Sequence, residues 1–222
     1  MAETLTFDTM CNDEARRALS TDQLNPLLLA ETWISEAQET EPEDHNAMAL
    51  ATADQAGLPD VRMVLLKGFE ADAETGGFIF YTNMTSAKGG QILANGQAAI
   101  NFHWKSRRRV LRARGQLVRV SEGLSDAYFQ SRSRGSRFGS TASDQSSPLA
   151  KRQDLMDRVA ELEARYGEDD ATGQHVPRPD HWYGHKLIPS SVEFWQDGQY
   201  RLHDRFRFER IGGGWTVERL NP

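Results

Sequence analysis

VLRARGQLVRV, residues 110–120, decides the fold of this chain. Leu111, Ala113 and Leu117 alternate with Arg112, Arg114 and Gln116. That period of two turns one row of side chains into a core and the other into water, as in a half-buried strand. Immediately upstream, QAAINFHW (97–104) has the same strand character. Further back lie AMALATAD (47–54), VRMVLLKGF (61–69) and FIFYTN (78–83), punctuated by QAGLPD and by Gly76-Gly77. Downstream come SVEFWQD (191–197), RFRFER (205–210) and WTVERL (215–220).

Helical patterns separate these segments. From Asn25, NPLLLAETWISEAQE places Pro26 at a first helical position, with Leu29, Trp33 and Ala37 four apart. A short helix is expected around 86–94, closed by Gly96, and another over SEGLSDAYFQSRS (121–133). PLAKRQDLMDRVAELEARYG (148–167) aligns Leu155, Val159, Leu162 and Tyr166 on one face and stops at Gly167. Strand segments with few strand–helix–strand alternations predict a mainly β fold with α, an antiparallel β-barrel plus helices. Residues 1–24 lack a clean period and are expected to form a mobile or partner-covered arm. Residues 25–222 are read as a single domain.

Composition narrows the classes. The chain has 222 residues, 26 Lys+Arg against 32 Asp+Glu and a formal charge of −6. A chain of this size buries about 70% of its unfolded surface, so it needs no disulfide staples. Its sole cysteine, Cys11, excludes an internal disulfide framework. No apolar run approaches the length of a membrane helix. The start MAETLTFDTM lacks a basic region followed by an apolar one, so a cytoplasmic protein is expected, with no membrane partner.

The phosphate-loop, dinucleotide, HExxH and GxSxG signatures are absent. His181 and His185 are four apart, but Pro179 and Gly184 argue against a helix there, and zinc would want further ligands; no metal is expected. The run RRRVLRAR (107–114) reads better as the charged outer face of a strand than as a nucleic-acid patch, and the acidic net charge agrees.

More telling are cations and hydroxyls in separate segments. Arg62 and Lys67 end an apolar strand; Tyr81, Thr82 and Lys88 stand where the next strand gives way to a helix. Tyr128, Arg132 and Ser136 are four apart, and on a helix they share one face. A phenol, a guanidinium and a hydroxyl together suit a phosphate. Arg201, His203 and Arg205 alternate, so in a strand they share a face that needs an anion if it is buried; a solvated edge strand is the plainer alternative.

RMVLLKGF (62–69), FYTN (80–83), FHWKS (102–106), YFQSRSRGS (128–136), QSS (145–147), VPRPDHW (176–182), EFWQDGQYRLHDR (193–205) and the final ERLNP resemble the FMN-dependent pyridoxine/pyridoxamine 5′-phosphate oxidases. The resemblance spans about residues 25–222. It implies an FMN-binding split β-barrel that forms a homodimer with FMN at the subunit interface. The implied reaction oxidises pyridoxine 5′-phosphate or pyridoxamine 5′-phosphate to pyridoxal 5′-phosphate. A hydride passes to FMN and then to O₂, giving H₂O₂. By the same resemblance Arg62, Lys88 and Ser146 hold the FMN phosphate, while Arg62, Met63, Val64, Leu65, Leu66, Lys67, Tyr81 and Thr82 line the flavin. Gln145, Trp195 and Arg205 complete that site, some from the partner chain. Lys67, Tyr128, Arg132 and Ser136 take the substrate phosphate, and Arg201 and His203 sit over the pyridine ring as the catalytic pair.

The chain also departs from the family pattern. Ala87 stands where an Arg is usual beside the phosphate-binding Lys, and Val110 where a Gln touches the flavin. Thr141 replaces a usual Trp, and Tyr183 and Lys186 replace a Gly and an Arg around a WGG-like turn. A lost charge-assisted phosphate contact or flavin hydrogen bond costs about 1–3 kcal/mol, so weaker FMN retention is expected. The alternative these departures support is a flavin- or pyridoxal-phosphate-binding protein of the same fold with little turnover.

Overall fold

Two residues, Leu66 and Lys67, roll the sheet of this protein into a barrel. In the computed structural model, described over residues 5–167, 169–171 and 173–222, the chain runs α1 (Phe7–Cys11), α2 (Asp13–Ala18), α3 (Pro26–Thr40), β1 (Ala47–Ala53), β2 (Pro59–Leu65), β3 (Gly68–Glu70), β4 (Gly77–Asn83) and α4 (Ala87–Asn95). It continues through β5 (Gln97–Trp104), β6 (Arg109–Arg119), α5 (Glu122–Ser131), α6 (Arg134–Ala142), α7 (Arg152–Tyr166), β7 (Trp182–Gln196), β8 (Asp204–Ile211) and β9 (Gly214–Arg219). The antiparallel sheet follows the order β2-β1-β5-β6-β7-β4-β3, with β8 added to β7 and β9 to β8. β2 and β3 thus stand at opposite ends of that path yet are consecutive in the chain, so the path must curl back on itself. The seam is stitched by Leu66 N–H to Asn46 O at 2.8 Å and Lys67 N–H to Ile79 O at 2.8 Å.

The alternation seen in the sequence is the barrel's inner and outer face. Leu111, Ala113 and Leu117 of β6 are buried beside Ile100, Phe102 and Trp104 of β5. The strand predicted over 61–69 is split at the seam, and β2 turns Val61, Met63 and Leu65 outward. β7 starts at Trp182, nine residues before the predicted start at 191. It passes Pro189 because a register shift opposite Arg114 and Gly115 leaves Ser190 unpaired, and Pro is tolerated at such a bulge. The supposed WGG-like turn is therefore strand.

α3 covers one barrel end, with Trp33 edge-on to Phe194 at 5.0 Å between centroids. Where an arm is expected over 1–24, residues 1–4 lie outside the described residues, and residues 5–24 fold onto the barrel. Leu5, Met10 and Leu24 are buried in the main core, and Phe7 packs against Trp33 and Phe206. α5, α6 and α7 form a satellite around Phe129, Phe138, Val176 and Trp182. Among the described residues no helix is long and apolar enough to cross a membrane.

Candidate functional site

A cavity of about 500 Å³ opens where the barrel seam meets the satellite helices. β2 and the seam contribute Met63, Val64, Leu65 and Lys67; the end of β4 contributes Tyr81, Thr82 and Asn83. Lys88 comes from the first turn of α4, which Ser86 caps by accepting from Gly89 N–H. Tyr128, Arg132, Ser136, Gly139, Ser140, Ser143 and Gln145 line the satellite side, with Trp182 at its base.

Among the described residues the cavity wall carries three cations, Lys67, Lys88 and Arg132, and no carboxylate. Lys88 is 9% exposed; its ammonium donates to Gln145 Oε1 at 2.6 Å and Ser86 Oγ at 3.3 Å. Burial, and then the neighbouring Arg62, push its pKa below the ordinary lysine value. Arg132 donates from Nη1 to Ser140 Oγ at 2.6 Å, and its guanidinium lies 5.1 Å from the Trp182 ring centre. Burial lowers its pKa too. Beside it the rings of Tyr81 and Tyr128 stack at 3.9 Å, and both lie nearly parallel to Trp182. Burial raises both phenol pKa values, which keeps these rings neutral donors. Gly184 makes room for this wall, since a Cβ there would sit 2.7 Å from the Tyr81 ring.

Several expected residues meet here by a route the sequence did not show. Tyr128, Arg132 and Ser136 do not share one helix: α5 ends at Ser131, Arg132 is extended (φ −74°, ψ 151°), and Ser136 belongs to α6. The break folds two short helices around the cavity, and the three side chains still converge. Arg62 is absent from the wall. Its guanidinium instead donates to Leu50 O, Thr52 Oγ1, Asp60 and Gln91. Leu66 is buried in the core, and Ser146, left-handed at φ 72°, lies beyond the lining.

Trp195, Arg201, His203 and Arg205 lie outside this cavity, and the shared strand face expected for the last three is corrected. Residues 199–201 form a single 3₁₀ turn, β8 begins only at Asp204, and Arg201 is exposed. Tyr200 and Arg201 are both left-handed, at φ 57° and 66°. This tip turns Arg201 and His203 toward a second depression shared with Arg108 and Asp197. His203 Nδ1 sits 3.2 Å from Asp197 Oδ1 and 3.2 Å from Gly198 N, and its ring lies 4.5 Å from that of Trp195. Arg205 is held by Glu193 Oε1 at 2.9 and 3.0 Å. His181 precedes β7 while His185 lies within it, stacked on Phe80. Asn83, Gly139, Ser140, Ser143 and Trp182 complete the wall without any prior signal of their own, except that Asn83 and Trp182 fell inside quoted motifs.

Cations that no carboxylate pairs among the described residues, beside stacked rings, define a β-barrel whose cavity suits an anion carrying a flat ring. The family model described as pyridoxamine 5′-phosphate oxidase matches residues 34–166, and that of the pyridoxine 5′-phosphate oxidase C-terminal dimerisation region matches 182–222. The chain belongs to the pyridoxamine 5′-phosphate oxidase family. It is 53% identical over 211 residues to a pyridoxine/pyridoxamine 5′-phosphate oxidase of Maricaulis maris, covering 94% of this chain and 91% of that one. It is also 53% identical over 205 residues to the one of Rhodospirillum rubrum, covering 91% and 99%. Among solved structures, PhzG from Burkholderia lata, in complex with tetrahydrophenazine-1-carboxylic acid, superposes with a TM-score of 0.81 at 31% identity, covering 93% of this chain and 96% of that one.

Proposed function

We propose that this protein is a cytoplasmic, homodimeric oxidase that converts pyridoxine 5′-phosphate or pyridoxamine 5′-phosphate to pyridoxal 5′-phosphate, with FMN as cofactor. The observation that carries the reading is the wall bearing Lys67, Lys88 and Arg132 with no carboxylate among the described residues. Relatives named for this activity, about half identical over nine-tenths of the chain, support it. Residues 25–222 act as one FMN-binding split-barrel domain, with residues 5–24 applied to it.

The residues present fit a flavin phosphate. Lys88 is a nearly buried ammonium that no carboxylate pairs among the described residues, in the first turn of a capped helix whose N-terminus favours anions. FMN, when bound, supplies the acceptor for the C4′ hydride and its return to O₂ as H₂O₂. Lys88 and Gln145, with Arg62 and Ser146 at the margin, hold the cofactor's phosphate. Met63, Val64, Leu65, Leu66 and Lys67, with Tyr81 and Thr82, border its ring system. Arg132, Tyr128, Ser136 and Lys67 take the substrate phosphate and fix the ring's position. Trp195, Arg201, His203 and Arg205 do not line their own chain's cavity, and they complete the cavity of a second copy. There Arg201 and His203 cover the substrate ring and orient C4′, while Arg205 adds positive charge beside the cofactor. The match of residues 182–222 to a dimerisation region supports this exchange.

The test is an absorption spectrum of the FMN-incubated protein mixed anaerobically with pyridoxine 5′-phosphate. Bleaching of the flavin band and its recovery in air are expected. A bound flavin that neither this substrate nor pyridoxamine 5′-phosphate bleaches would favour a binding protein of the same fold. Failure to bind flavin would overturn the cofactor assignment.

A further inference from the structure

Arg132 reaches the cavity as a half-buried guanidinium that no carboxylate pairs among the described residues. Its side chain has one hydrogen-bond partner there, Ser140 Oγ at 2.6 Å from Nη1, and the Trp182 ring supports it from another side. Ser140 lies one turn after Ser136 on α6, and both line the cavity. The adjacent Thr141 returns its hydroxyl to Arg137 O at 2.9 Å, the usual fate of a hydroxyl within a helix. Among the described residues the Ser140 hydroxyl makes no such bond. A hydroxyl that accepts from a guanidinium keeps its own proton to donate, and among the described residues no carboxylate lines the cavity to receive it.

We propose that Ser140 is a positioning residue for the substrate's phosphate: it fixes Arg132 through Nη1, leaves the rest of the guanidinium fork facing the cavity, and offers its own O–H to a phosphate oxygen. The proposal rests on the assignment of this cavity to a vitamer phosphate. It adds a specificity determinant on α6 to that assignment, one that selects phosphorylated over unphosphorylated substrate.

The experiment uses FMN-loaded wild-type protein, Ser140→Ala and Ser140→Thr. Each is assayed with phosphorylated and unphosphorylated pyridoxine, titrated with pyridoxal 5′-phosphate, and inhibited with inorganic phosphate. Ser140→Ala is expected to raise KM for the phosphorylated substrate, and the Kd for pyridoxal 5′-phosphate, about tenfold. Turnover stays within about twofold, because the contact serves ground and transition states alike. KM for the unphosphorylated substrate is unchanged, inhibition by phosphate weakens in parallel, and Ser140→Thr recovers most of the loss. An equal rise in KM for both substrates would reduce Ser140 to a structural role, and no change in either would remove the role altogether. A wild-type protein that neither prefers the phosphorylated substrate nor responds to inorganic phosphate would overturn the cavity assignment itself, and this proposal with it.

Discussion

Lys88 Nζ lies 2.6 Å from Gln145 Oε1, a bond that ties the first turn of α4 to the segment following α6. Burial makes the charged form of Lys88 costly in the folded state, as its lowered pKa records. Lys88→Met is therefore expected to leave the melting temperature of the apo-protein equal or higher. The same change loosens FMN by at least about tenfold. Calorimetry of the apo-protein and a flavin titration check both halves; a lower melting temperature with unchanged FMN affinity would contradict them.

His185 is 5% exposed, and its Nδ1 is buried without a partner among the described residues. Burial, and then Arg119, lower its pKa from 6.5 to about 4. The unfolded chain thus binds a proton that the folded chain refuses between those two values, so stability falls as pH drops through that window. The loss levels off below the folded value, at up to roughly 3 kcal/mol. Denaturant unfolding at several pH values should show this slope, and His185→Phe should flatten it.

Ala87 is the exposed first residue of α4, next to Lys88. A guanidinium there adds a second cation at the helix N-terminus, and Ala87→Arg is expected to tighten FMN about tenfold. A titration of apo-protein that gives the same affinity for both forms would show that the position is irrelevant to the cofactor.

How much of this was legible in the sequence depended on how local each signal was. Strands with a strict period of two, such as β5 and β6, stood out because one face is core and the other water. So did α3, through Pro26 and its buried stripe. The first half of β7 was hidden because Gly184 and Pro189 look like breakers, and only pairing with β4 and β6 makes them strand. Arg132 and Ser136 line one cavity, but not on the shared helix their spacing suggests, since a helix break cannot be seen in side-chain spacing alone. Arg201 and His203 were assigned to a strand, whereas two left-handed residues make a turn that alternation cannot encode. Ser140 gave no signal, because its role depends on a contact with Arg132 across that break.

Tyr200 is 90% exposed and left-handed at φ 57°, ψ 22°. Glycine adopts that region without a Cβ penalty, so Tyr200→Gly is expected to stabilise the protein by about 1 kcal/mol. A thermal melt reads the gain, and a lower melting temperature would show the turn to be unstrained.

Arg201→Ala and His203→Ala are expected to lower turnover while FMN affinity stays as in wild type, since the proposed exchange sets both over the substrate ring in the second copy's cavity and neither at the cofactor's phosphate. Stopped-flow reduction of the flavin, beside an FMN titration, separates the two. Unimpaired reduction in both variants would remove them from the reaction.

The two-residue seam also dictates when the site comes into being. Lys67 reaches the cavity only if β3 is docked on β4, and β4 is docked in turn on β7, with Phe78 opposite Leu187. The β4–β7 pairing is among the most sequence-distant in the molecule, and such contacts form late because the loop entropy must be overcome first. A nascent chain leaving the ribosome therefore has nothing to offer the cofactor until β7 has emerged, and FMN can join only a barrel that has already closed.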